Sequence, residues 1–123
     1  MTEKEIFIEK MKKRTKKFAV DVILFCDSLR SSKVTSVVTY QLIKSATSTG
    51  ANYRAACRAR SKKEFFSKIC IVDEEADESE YWMEVIKAAS LSSNEDELDR
   101  LLGEVIEIAK IMTKAKNSTY NKI

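Results

Sequence analysis

Nothing in this chain is built to interrupt a helix. Its 123 residues include no proline and only two glycines, Gly50 and Gly103. Those are the two residue types that most disfavour a helical backbone, so their scarcity points to an all-α fold. With 44% hydrophobic and 33% charged residues, the composition is that of a globular chain rather than a disordered one.

Helix-start signals recur at regular intervals. Thr2 with Glu5, and Ser61 with Glu64, read as capping boxes, in which hydroxyl and carboxylate satisfy each other's backbone donors. Asn94, followed by Glu95, Asp96 and Glu97, sets acidic groups against the positive end of another helix. Ser31 and Ser32 offer a less specific start for the remaining one. These signals predict helices over residues 3–29, 33–59, 62–90 and 94–117 in one domain, 1–123. Such short connections make successive helices antiparallel neighbours, giving an up-down-up-down four-helix bundle.

Apolar stripes at helical spacing support this reading. The first helix carries Phe7, Met11, Phe18, Val22, Phe25 and Leu29, the third Phe65, Ile69, Val72, Ala76, Met83 and Ile86, and the fourth Leu98, Leu102, Val105, Ala109 and Met112. The second helix is different. Its segment from Gln41 to Ala56 is rich in Ser, Thr, Gly and Asn, a loop-like composition. At about 100° per residue, however, Val34, Val38, Gln41, Ser45, Ser48 and Asn52 fall in one sector, where a core stripe belongs. The segment therefore reads as a helix with an inward polar seam, flanked by Leu42, Thr49, Tyr53 and Ala56. Buried polar groups need partners. A network of Arg14, Gln41, Ser45, Ser48, Asn52, Glu75 and Glu78, with Trp82 as a further donor, is expected to supply them. It reads as a register-fixing device or, alternatively, as a ligand site.

The chemistry of a typical active site is poorly represented. Histidine is absent, which removes the commonest general base and the Ser/His and Cys/His nucleophile pairs. No phosphate-cradling G-x-x-x-x-G-K-[ST] occurs. Cys26, Cys57 and Cys70 are widely spaced, which argues against a disulfide framework or a zinc site and suits a reducing cytoplasm. No signal peptide is visible, and the apolar run Ala19 to Cys26, interrupted by Asp21, is too short to span a bilayer. The expectation is a cytoplasmic protein that is not an enzyme, with no metal, no cofactor and no membrane association.

Charge is divided unevenly. Residues 1–63 hold 15 Lys/Arg against 5 Asp/Glu, a net +10, while residues 64–123 hold 7 against 14, a net −7, together the +3 of the chain. Such a dipolar molecule can stack head to tail, and a contact of that kind closes into a ring when the rotation permits. Phe66 and Tyr81 fall outside the apolar stripe of the third helix and are candidate contact residues. The basic half also suits phosphate. Lys10, Lys12, Lys13, Lys16 and Lys17 crowd the first helix, and Arg54, Arg58, Arg60, Lys62 and Lys63 crowd the end of the second. Antiparallel packing would merge the two groups at one end of the bundle, where RNA or DNA phosphates could be engaged. The alternative is a solvated end that faces acidic neighbours.

The same residues carry a family resemblance. The pattern Gln41-Leu42-x-x-Ser45-x-x-Ser48-x-x-x-Asn52, then Phe65 or Phe66, then Glu75-Ala76-x-Glu78-x-x-Tyr81-Trp82, resembles a bacterial four-helix-bundle family. Its founding members are encoded in intervening sequences of 23S ribosomal RNA genes. Arg14-Thr15-x-x-Phe18-Ala19 is similar to the same family, and the likeness runs over about residues 6 to 115. Lys44 replaces a common arginine, Ala55 or Ala56 a frequent glutamate, and Leu29-Arg30-Ser31 lacks a frequent proline. The resemblance implies a ring-shaped homopentamer without catalytic activity. It also implies partners, since related proteins accompany diversity-generating reverse transcriptases and contact nucleic acid. Two functions follow: weak nucleic-acid binding through the basic end, or an oligomeric scaffold or adaptor for a protein partner.

Overall fold

Each helix begins at a side chain able to satisfy its free backbone donors. In the computed structural model, which describes residues 1–123, the helices are α1 (Glu3–Asp27), α2 (Lys33–Ala56), α3 (Lys62–Ala88) and α4 (Glu95–Tyr120). Thr2 and Glu5 form the full reciprocal capping box on α1. Ser32 caps α2 through the Thr35 amide, Ser61 caps α3 through Glu64, and Asn94 caps α4 through Glu97. The expected ends are off by at most three residues, the range over which helix ends fray.

The turn from α3 to α4 uses a non-glycine residue in left-handed backbone. Ser90 has φ 53°; its amide donates to the Lys87 carbonyl, and the Leu91 amide donates to the Ile86 carbonyl, at 3.1 and 3.0 Å. This pair of bonds is the Schellman closure, in which glycine usually takes the left-handed position. Leu91 then folds back onto the core, as the residue after that position commonly does.

The four helices form an antiparallel bundle. α2 packs most extensively on α3, then α3 on α4 and α1 on α2; α1 and α4 make the sparsest contact, and the diagonal pairs do not approach closely. Twenty buried apolar residues form one core, with contributions from every helix. The stripes on α1, α3 and α4 lie where the spacing placed them, with two differences. Phe7 is 48% exposed. Gly50 abuts Thr15, so counting back along α1 puts Phe7 beyond the level of Ala56, where α2 ends and offers no cover. Leu101 and Ile108, rather than Leu102 and Ala109, are fully buried on α4.

The buried face of α2 is turned from the expected sector. Thr35, Val38, Leu42, Ser45, Ala46, Thr49, Tyr53 and Ala56 are buried. Gln41, Ser48 and Asn52 are only half-buried, and Val34 is 60% exposed. The larger side chains of Leu42 and Tyr53 set the phase, and the polar seam moves to the edge that faces α3. No helix is long and apolar enough to cross a membrane.

Candidate nucleic-acid interface and polar seam

The polar residues of α2 satisfy themselves on their own helix. Thr47 donates to the Ile43 carbonyl at 2.7 Å, Thr49 to Ser45 at 2.8 Å, and the Asn52 amide to Ser48 at 2.9 Å. Thr15 does the same on α1, donating to Met11 at 2.9 Å. Short polar side chains reach a carbonyl one turn back more readily than a partner on another helix. One link does cross between helices: the buried Ser79 hydroxyl of α3 lies 2.9 Å from Ser45 Oγ and 2.9 Å from the Glu75 carbonyl, while Ser45 donates to Leu42. Ser79 was missed from the sequence because a lone serine in an acidic stretch carries no signal. Its position on the Ile69–Val72–Ala76–Met83 face was the clue.

The expected network around Arg14 does not form. Arg14 lies at the α1–α4 contact, where its guanidinium donates to Glu104 through two bonds of 2.8 Å and reaches Glu107 at 3.0 Å. α1 touches α2 and α4 but lies diagonally from α3, so Glu75 and Glu78 are out of reach. The arginine, with its hydrogen bond, holds the Glu104 carboxyl below its usual range, against the opposing effect of burial. Glu104 and Glu107, spaced three apart on the edge of the α4 stripe, were the legible hint.

Glu75 and Glu78 lie on α3 at the edge facing α2. The Trp82 indole donates to Glu78 at 3.3 Å. Burial, then repulsion from Glu78, raises the Glu75 pKa, and Lys44 of α2 only partly offsets this. Neither glutamate has a salt-bridge partner among the chain's ion pairs.

The two basic clusters do meet, in part. A groove of ≈ 400 Å³ between α1 and α2 is lined by Lys12, Lys13, Lys16 and Arg54, over a floor of Gly50 and Ala51. A second groove, of ≈ 490 Å³, adjoins it through Ala51 and Arg54 and adds Arg58, Arg60 and Lys68, with Glu64 as its one acid. Small residues in the floor let cationic side chains flank a channel rather than fill it. Lys10 and Lys17 do not join it. They share the α1 edge of Arg14 and Asp21, which faces α4, and Lys17 is held by Asp21 at 2.7 Å. Lys62 and Lys63 stand exposed at the start of α3. Lys12 is paired with Glu9 at 3.3 Å, so of the grooves' cations it alone has an ion-pair partner. The largest surface hollow, ≈ 690 Å³ along α4, mixes Lys110 and Lys114 with Glu80, Asn117 and Asn121 and carries no comparable sign of charge.

Of the two candidate contact aromatics, Phe66 is already engaged. Its ring packs on Tyr120 of α4 with centroids 5.6 Å apart, so it belongs to the α3–α4 contact within the chain. Tyr81 stays exposed, edge-on to Trp82 at 5.1 Å. The three cysteines are free, and burial pushes the Cys26 thiol up to about 12, which leaves it unreactive at neutral pH.

A comparison with curated proteins finds no match. Among solved structures, the chain is similar to a protein of unknown function from the S23 ribosomal protein family of Bacteroides thetaiotaomicron, with a TM-score of 0.81 and 28% identity over 89% of this chain and 97% of that one. The family model described as 23S rRNA-intervening sequence protein matches residues 9–114. That span takes in the polar seam, the Arg14 contact and both basic clusters, and the chain belongs to the 23S rRNA-intervening sequence protein family.

Proposed function

We propose that this protein is a non-enzymatic, cytoplasmic homo-oligomeric ring that binds nucleic acid weakly through its basic end. The observation that carries the nucleic-acid reading is the continuity of the two grooves around Arg54, where Lys13, Lys16, Arg58, Arg60 and Lys68 have no acidic partner. Unpaired cations along a channel attract phosphate, and neutralising phosphates releases counterions. No aromatic side chain lines either groove, so contact is with the backbone and is indifferent to sequence. The ring reading draws on the opposed charges of the two hairpins, and five copies follow the family resemblance.

Fluorescence anisotropy with labelled RNA, from about 50 to about 200 mM salt, tests this. A log-linear loss of affinity is expected, with each phosphate contact adding about −0.7 to −0.9 to the slope. Arg54→Ala, Arg58→Ala and Arg60→Ala combined should flatten the slope and leave the helical content unchanged. No binding by the wild type at low salt would refute the reading. The second reading, a scaffold for a protein partner, is favoured by the exposed apolar residues Val34, Val37 and Tyr81. Binding to such a partner would depend little on salt.

A further inference from the structure

Two exposed stripes, on opposite corners of the bundle, match one another in both chemistry and height. The outward side of α1 carries Lys13, Lys16 and Lys17, and then Val20, Ile23 and Leu24. The outward side of α3, leaning toward α2, carries Glu74, Glu75 and Glu78, and then Tyr81, Trp82 and Val85. Leu24 is 62% exposed and Tyr81 55%. Lys13, Lys16 and the three glutamates take part in none of the chain's ion pairs. Contiguous exposed apolar side chains beside unmatched charge are the mark of a contact surface.

The heights follow from two contacts already described. Gly50 abuts Thr15, and Ser45 meets Ser79. Ser45 is five residues from Gly50, and five residues along antiparallel α1 from Thr15 is Val20. Val20, Ser45 and Ser79 therefore lie at one level along the bundle axis. On α1 the change from basic to apolar falls between Lys17 and Val20. On α3 the change from acidic to apolar falls between Glu78 and Tyr81. α1 and α3 run in the same direction, so the two patterns stay in step above and below that level, each residue rising about 1.5 Å.

We propose that the α1 stripe of one copy docks on the α3 stripe of the next. The pairing sets Lys13, Lys16 and Lys17 against Glu74, Glu75 and Glu78, and Val20, Ile23 and Leu24 against Tyr81, Trp82 and Val85. The contact is heterologous, joining different surfaces of two identical chains. It needs a sideways step and a rotation but no slide along the axis. A heterologous contact without axial slide closes into a ring, whereas one with slide climbs into a filament. Arg54, Arg58 and Arg60 lie off the α1 stripe and stay open to phosphate. The inference rests on the ring reading and gives it its two surfaces.

Light scattering at physiological salt tests both separately. The wild type is expected to show the ring mass. Lys13→Glu with Lys16→Glu, or Glu74→Lys with Glu78→Lys, should each bring the mass down to the 14.0 kDa of a single chain. All four reversals in one chain should restore the ring, because the pairs are then opposite again. Circular dichroism checks that the helices persist. If a reversal unfolds the bundle, Leu24→Asp at its exposed position tests the same contact and should also give the single-chain mass. A monomeric wild type overturns the ring reading and this pairing with it. A ring that survives either double reversal, or one that the fourfold reversal fails to restore, overturns this pairing and leaves the ring reading standing.

Discussion

Gly50 and Gly103 both sit inside helices, and their surroundings give them opposite roles. A Cβ on Gly50 would lie 3.3 Å from the Thr15 carbonyl oxygen and 3.4 Å from its carbon. Both are backbone atoms that yield only if α1 moves, so Gly50 allows α1 and α2 to approach. A Cβ on Gly103 would meet nothing within 4 Å. Replacing an exposed mid-helix glycine by alanine gains up to about 1 kcal/mol. Gly103→Ala should therefore raise the melting temperature by a few degrees, while Gly50→Ala should lower it or leave it unchanged. Equal gains in a thermal melt would mean that the α1–α2 approach is not tight. The same stretch shows what the sequence could and could not convey at this scale. That residues 41–56 are helical was legible from the phase of their flanks. That Ser45, Thr47, Thr49 and Asn52 need little from other helices was not, because periodicity reports which face a residue occupies and says nothing about a carbonyl one turn back.

At the scale of elements, the caps and stripes fixed four helices and their order, since each depends on residues close in the chain. The partner of Arg14 depends on which helices lie side by side, and in an up-down-up-down bundle that makes α4, and not α3, the other wall of α1. The Arg14–Glu104 pair is two-pronged, and its side chains are 23% and 25% exposed. A partly buried, bidentate pair of this kind is worth about 1–2 kcal/mol, less than the ~3–5 kcal/mol lost when a deeply buried charge is orphaned. Arg14→Ala should lower the melting temperature by about 3–10 °C, against almost no change for Lys10→Ala on the same edge. The pH dependence has a definite sign. Glu104 is depressed below 4.5 by Arg14, so the pair contributes fully above that value and its contribution fades as pH falls through the lowered one. The gap in melting temperature between wild type and Glu104→Gln should be present at neutral pH and close in acid. A gap that persists below pH ~3 would place the loss elsewhere.

For the whole molecule, the division of charge was visible by counting, but its arrangement needed the fold. Only the bundle shows that Lys13 and Lys16 share a groove with Arg54, that Lys10 and Lys17 turn away from it, and that α1 and α3 stand at opposite corners. The unequal helix contacts carry a further consequence, for the order in which the protein comes apart. α2 and α3 hold each other along their length and α4 leans on α3, whereas α1 meets α4 least of any neighbouring pair. Opening is local before it is global, and α1 is the helix whose departure breaks the fewest contacts. In deuterium labelling its amides should exchange ahead of those in α2 and α3; uniform protection across all four would mean that the bundle opens as one unit. The loosest helix also carries one of the two docking stripes, so a neighbouring copy would clamp the segment most ready to detach, and α1 should exchange more slowly as protein concentration rises.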